Sequence, residues 1–161
     1  MPPRVTIQTI GIIHSPYRTR EEMPIQPPGA AYVEGTVEVF SRYVDGLADL
    51  DGFSHIYLLY RFHRTRKVRM RVIPFLDTVH RGVFATRAPS RPSHIGLSIV
   101  ELLAVDGNLL RVRGIDILDG TPLLDIKPYV PGFDDRPGAR TGWIPAQKEI
   151  IAGKRADDRF S

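Results

Sequence analysis

The chain of 161 residues contains no cysteine. Structural disulfides, thiolate nucleophiles and cysteine-held metals are thereby excluded. A reducing compartment is the matching expectation. Long hydrophobic runs are missing as well. The longest, Ile56 to Tyr60, falls far short of the roughly 20 residues that a membrane-spanning helix needs. The N-terminus, Met1-Pro2-Pro3-Arg4, leads into no apolar segment of the secretory-signal kind. A cytoplasmic protein with no membrane partner is expected. No Gly-x-Gly-x-x-Gly supports a dinucleotide fold, and no Gly-x-Ser-x-Gly elbow offers a serine nucleophile. His14, His55, His63, His80 and His94 are scattered without ligand spacing, so no metal site is expected. Internal repeats are absent too.

What is present fits one globular domain. Hydrophobic residues make up 42% and charged residues 25%, enough to bury a core without staples. The net charge of +4 favours anionic partners only weakly. Its distribution says more. Arg61, Arg64, Arg66, Lys67, Arg69 and Arg71 cluster around His63 with no acid among them. Clustered cations suit a phosphate backbone. The same residues also blunt an exposed strand edge, and both readings stay open.

Period-two alternation dominates the pattern. Val5–Ile13, Gly35–Phe40, Ser54–His63, Val68–Ile73 and Ile95–Val105 read as strands. Asp106-Gly107-Asn108 turns the last of these into Leu110 and Val112, the clearest hairpin. Asp119-Gly120 marks a further turn before a strand over Leu123–Val130. Ser41 is placed to cap a short helix over Arg42–Leu50, weakened by Gly46. Short strands, regular turns and little helix predict a mainly β fold, a compact antiparallel β-barrel with one or two short helices. The barrel domain spans 1–131, and 132–161 forms an irregular C-terminal tail. Trp143 and Ile144 are candidates to pin that tail to the body or to a partner subunit.

Three stretches carry polar residues that plain strands do not need. In Gly82–Gly96, two prolines stiffen a loop holding Arg87 and Arg91, a plausible anion clamp. In Leu118–Tyr129, Asp125 and Lys127 alternate with Leu124 and Ile126 and project from one face. With Tyr129 nearby they can orient an amine and help move its proton; an ordinary surface ion pair is the plainer alternative. In Met23–Gly29, Gln26 offers both a donor and an acceptor from an extended loop.

Taken together, Ile10–Tyr17, Pro24–Gln26, Phe53–Ile56, Gly82–Ser98 and Leu118–Tyr129 resemble the TsaA/TrmO-type proteins, β-barrel S-adenosylmethionine-dependent tRNA adenosine methyltransferases. The resemblance covers about residues 5–131. It implies a homodimer with S-adenosylmethionine held near the subunit interface. It also implies N6-methylation of the threonylcarbamoyl-adenosine beside the tRNA anticodon. Carried over by motif, Pro24, Ile25, Gln26, Phe62, His63, Arg87, Leu97, Asp119, Gly120, Thr121 and Pro122 contact the cofactor. Asp125, Lys127 and Tyr129 face the acceptor base. Arg64, Arg66, Lys67, Arg91 and Ser93 are assigned to the RNA. The chain departs from the family pattern at Ile25, where arginine is usual, and at Ser93-His94, where Asn-Pro is usual. Two other readings remain: a methyltransferase of the same fold with a small-molecule acceptor, and a non-catalytic barrel that binds RNA or cofactor.

Overall fold

Alternation builds the wall of a closed barrel. Along β3 (His55–Arg61), Ile56, Leu58 and Tyr60 are buried and their neighbours are not. The computed structural model describes residues 1–24, 30–75 and 77–145. Its other barrel strands are β1 (Gly11–His14), β2 (Glu34–Val39), β6 (Ile95–Asp106), β7 (Leu109–Arg113) and β8 (Thr121–Pro128). They close in the order β1-β2-β7-β6-β3-β8, and among the described residues every pairing in the barrel is antiparallel. Closure removes both sheet edges. Ile13, Val37, Ile56, Leu58, Leu110, Val112 and Leu123 fill the interior with no exposed surface. Each such side chain contributes about 1.5–3 kcal/mol over its exposed state. Gly96 faces the Tyr60 ring, and a Cβ there would sit 2.3 Å from Cε2 of that ring.

The β6–β7 hairpin turns at Gly107, whose φ is 59°, and Asn108 donates through Nδ2 to the Val39 carbonyl at 3.0 Å. Two bulges set which side chains face in. In β8 the pairing slips beside Leu124, from Leu59↔Asp125 to Tyr60↔Leu123. Ile126 therefore points inward opposite Leu58, while Asp125 and Lys127 point outward. A similar slip beside Leu103 in β6 turns Val105 toward Leu110.

Several elements differ from the sequence expectation. The first strand begins at Gly11 rather than Val5; Val5 and Ile7 are 82% and 51% exposed because no strand pairs with them. The expected helix over Arg42–Leu50 is instead a 3₁₀ helix, Ser41–Leu47, whose N-cap is Phe40. Asp49, at φ 67°, breaks it from a second 3₁₀ turn, Leu50–Gly52. Only β4 (Arg71–Val72) survives of the strand expected over Val68–Ile73, paired with β5 (Arg81–Gly82) outside the barrel. The final strand runs over Thr121–Pro128, and a four-residue helix α1 (Pro131–Asp134) follows it.

Candidate functional site

Between β3 and β6 the chain leaves the barrel for residues 62–94, where the basic run and the arginine loop both lie. Arg61, Arg64, Arg66 and Lys67 are exposed and form no salt bridge among the described residues. Arg20 clamps this run from below, its Nη2 donating to the Arg64 carbonyl at 2.9 Å and to Thr65 Oγ1 at 3.2 Å. The amide of Arg69 donates to the Ser90 carbonyl at 2.9 Å. That bond splices the basic run to the arginine loop. Burial, reinforced by the charge of Arg64, holds the His63 pKa below the usual histidine range.

The arginine loop rests on a second small core of Val72, Val83, Ala88 and Phe75. Arg91 does not point away from it. Its Nη1 donates to the carbonyls of Thr86 at 3.0 Å, Ala88 at 3.2 Å and Val83 at 3.5 Å, and its guanidinium lies 5.9 Å from the Phe84 ring centre. Arg91 is thus a brace for the loop, and the neighbouring Ser93 is exposed. His94 adopts a positive φ of 49° and donates from Nδ1 to the Pro89 carbonyl at 2.9 Å. From the tail, Trp143 Nε1 donates to the Ala85 carbonyl at 2.8 Å, with Arg81 5.6 Å from its ring centre. The tail is pinned to the body, two residues from Arg87.

Beneath this loop lies a polar chain that the sequence did not flag. Ser98 Oγ donates to Asp116 Oδ1 at 2.6 Å. Its proton is thereby committed, so the Tyr60 hydroxyl, 3.0 Å away, donates to Ser98. Ser98 and Tyr60 are buried at 1% and 5% exposure. Burial raises the Asp116 pKa to about 6, although Ser98 and the charge of Arg87 both act to lower it. Asp116 forms no salt bridge among the described residues. The signal in the sequence was faint: a lone acid between Ile115 and Ile117, both buried.

The Asp119 turn closes this end. Asp119 Oδ1 accepts from the Ser15 amide at 3.0 Å, and the Gly120 amide donates to the Ile13 carbonyl at 2.9 Å. Thr121 is buried and Pro122 half-buried. Pro24 is buried, Phe62 packs against the barrel core, and Leu97 is 46% exposed. Ile25 and Gln26 lie outside the described residues.

The remaining expected residues occupy the outer face of β6, β3 and β8. Register stacks them in rungs: Leu97, Leu59 and Asp125, then Ile99, Tyr57 and Lys127. The Tyr129 amide reaches the His55 carbonyl one step further along. Lys127 Nζ lies 3.3 Å from Asp125 Oδ2, so those two are together. Tyr129 is not with them. It stands four positions beyond Asp125, just past the end of β8, a path of about 13 Å. Its hydroxyl donates to Asp135, which pushes its pKa up to about 12. The ring meets Tyr57 edge-on at 5.7 Å.

Residues 12–135 match the family described as the tRNA-methyltransferase O N-terminal domain. A probable S-adenosyl-L-methionine-binding protein of Pyrococcus abyssi is 49% identical over 160 residues, 99% of this chain and 87% of that protein. The tRNA (adenine(37)-N6)-methyltransferase of Escherichia coli is 36% identical over 146 residues, 84% of this chain and 62% of that protein. A crystal structure of TrmO from Pseudomonas aeruginosa aligns with a TM-score of 0.75 at 38% identity, over 89% of this chain and 64% of that one. The chain therefore spans a little under two thirds of the Escherichia coli protein and of the solved TrmO chain.

Proposed function

We propose, from the premise that this chain belongs to the tRNA-methyltransferase O N-terminal domain family, that it is an S-adenosylmethionine-dependent methyltransferase acting on N6 of adenosine 37 in tRNA. The finer proposal is that the adenosine carries a threonylcarbamoyl group. The protein acts in the cytoplasm as a homodimer, with residues 1–131 as its catalytic unit and the tail as a brace.

One observation carries this reading. The exposed cations Arg61, Arg64, Arg66 and Lys67 and the loop bearing Arg87 form one structural unit, joined by the Arg69–Ser90 backbone bond. A phosphate-binding strip is thus tied to a candidate cofactor loop. The residues present fit the cofactor's chemistry. Its methionine end is zwitterionic and asks for both a cation and an anion. Arg87 and Asp116 supply one of each and sense each other's charge. Buried Pro24 and the apolar Phe62 and Leu97 suit the uncharged remainder. When bound, the cofactor supplies an electrophilic methyl group on sulfur.

The protein's own task is then alignment more than activation. Asp125 stands on the rung of Leu97 and receives a hydrogen bond, and finally the proton, from the acceptor nitrogen. Lys127 Nζ, 3.3 Å from Asp125 Oδ2, orients that carboxylate. Tyr129 is not the base: its phenol proton is donated to Asp135, which leaves its oxygen only as a hydrogen-bond acceptor on the flank. Leu97 and Ile99, 46% and 40% exposed on this face, support association with a second copy.

The test uses purified tRNA with and without threonylcarbamoyl-adenosine, labelled S-adenosylmethionine and mass spectrometry of the nucleosides. Methylated threonylcarbamoyl-adenosine is the expected product. Label in unmodified adenosine would discard the finer proposal. Cofactor binding with no label in any tRNA would move the small-molecule acceptor to the front.

A further inference from the structure

Three segments assigned to the cofactor approach one half-buried carboxylate, that of Asp116. Leu97 is bonded in sequence to Ser98, whose hydroxyl holds Asp116 Oδ1 at 2.6 Å. Asp119, which opens the tight turn ending at Pro122, lies three residues after Asp116. Arg87 acts electrostatically on both Asp116 and Tyr60. Behind Ser98, the Tyr60 hydroxyl fixes the chain at 3.0 Å, and the absence of a side chain at Gly96 gives the ring its place. This is a costly arrangement for a structural acid. A carboxylate drawn largely out of water is ordinarily matched by a cation in contact, and the half-buried Asp116 has no salt bridge among the described residues. Burial prevails over Arg87 in setting its proton affinity, so its negative charge is under-neutralised. Such a group is preorganised for a positive ligand.

We propose that Asp116, oriented by the Tyr60–Ser98 chain, is the anionic receptor for the cationic methionine end of the cofactor, and that Ser98 is a positioning residue. The proposal rests on the methyltransferase reading above and deepens it. It assigns charge recognition to the interior of the barrel mouth, beneath the arginine loop. Arg87 then takes the carboxylate of the same methionine end.

The experiment is calorimetric titration of wild type, Asp116→Asn and Ser98→Ala with three probes. S-adenosylmethionine carries a sulfonium and an ammonium. S-adenosylhomocysteine keeps only the ammonium. Methylthioadenosine carries neither charge. Asn keeps the shape and the bond from Ser98 while removing the charge, and thermal melting checks that each variant is folded. Asp116→Asn is expected to weaken S-adenosylmethionine by about tenfold or more, the scale of a lost charge-assisted contact. Methylthioadenosine stays within about twofold of wild type. Ser98→Ala gives a smaller loss in the same order of probes. Equal weakening of all three probes would make Asp116 a structural support of the adenosine pocket and overturn the inference. Unchanged affinity for S-adenosylmethionine overturns it too. A wild type that binds none of the three would remove the methyltransferase reading itself, which the first two outcomes leave standing.

Discussion

Every second side chain of β3 disappears into the barrel, whereas residues 62–94 that follow it gather a small core of Val72, Val83, Ala88 and Phe75. The barrel is held by area. Its buried Leu, Ile and Val side chains give a non-directional stabilisation that accumulates over many residues. The excursion is held by named bonds. Arg91 reaches three carbonyls, Thr86 Oγ1 donates to Val83, His94 reaches Pro89 and Trp143 reaches Ala85. Area gives stability, and directed bonds give a loop a fixed shape at little cost in sequence length. A site that must present cations at set positions gains more from the second.

Damage to the two regions should therefore separate stability from binding. The largest effect is expected for Leu58→Ala, fully buried at mid-strand. Denaturant unfolding should show a loss of about 2–5 kcal/mol, while cofactor affinity of the fraction still folded changes little. Arg91→Ala should do the reverse. Losing bonds from a charged donor to carbonyls costs about 1–3 kcal/mol, yet S-adenosylmethionine affinity should fall by more than the stability loss implies, because Arg87 loses its support. Equal affinity in the two variants would erase the contrast.

A subtler effect follows from Asp116. Its folded pKa of about 6 lies above the ordinary 3.8. The folded state therefore binds the extra proton, and the stability this group confers is present below pH 3.8 and lost as pH rises through 6. Asp116→Asn should be more stable than wild type near neutral pH by about 1 kcal/mol, after allowance for partial exposure, with the difference vanishing toward pH 4. His63, whose pKa is lowered, gives the opposite slope in both proteins and cancels in the difference. Melting curves against pH read this directly, and a constant offset would contradict it. The smallest stability change, within about 0.5 kcal/mol, is expected for the exposed pair Arg66→Ala with Lys67→Ala. The same variant should flatten the salt dependence of tRNA binding by about two units of slope.

The barrel was legible because its residues obey one rule. Val37 and Val39, Ile56 and Leu58, Ile99 and Leu97 alternate as the closed sheet requires. The misreadings came where that rule lacked a partner strand. Val5 and Ile7 alternate but pair with nothing, and only two residues of Val68–Ile73 found a neighbour. The helix over Arg42–Leu50 was misread because the left-handed Asp49 interrupts it and Phe40 takes the cap. For the proposed site, the motifs pointed to Arg87, Leu97 and the Asp119 turn; Ser98, next to Leu97, holds Asp116, on which Arg87 acts electrostatically. They said nothing of Asp116 itself, since a carboxylate gains its partner Ser98 only when β6 and the segment before β8 meet. The brace role of Arg91 was likewise invisible, because its acceptors are backbone carbonyls.

The slip beside Leu124 has a consequence for how β8 tolerates change in length. A strand counts in twos, and one residue removed or added reverses every side chain beyond it. Deleting Leu124 would barely alter the composition of the chain. Leu124 is the extra residue of the slip, however, so its loss would leave Leu123 opposite Tyr60, Asp125 opposite Leu59 and Ile126 opposite Leu58, with Asp125 and Lys127 still outside. β8 can therefore lose a single residue at this one place and keep its charged residues outside, because the slip already holds one residue more than the ladder needs.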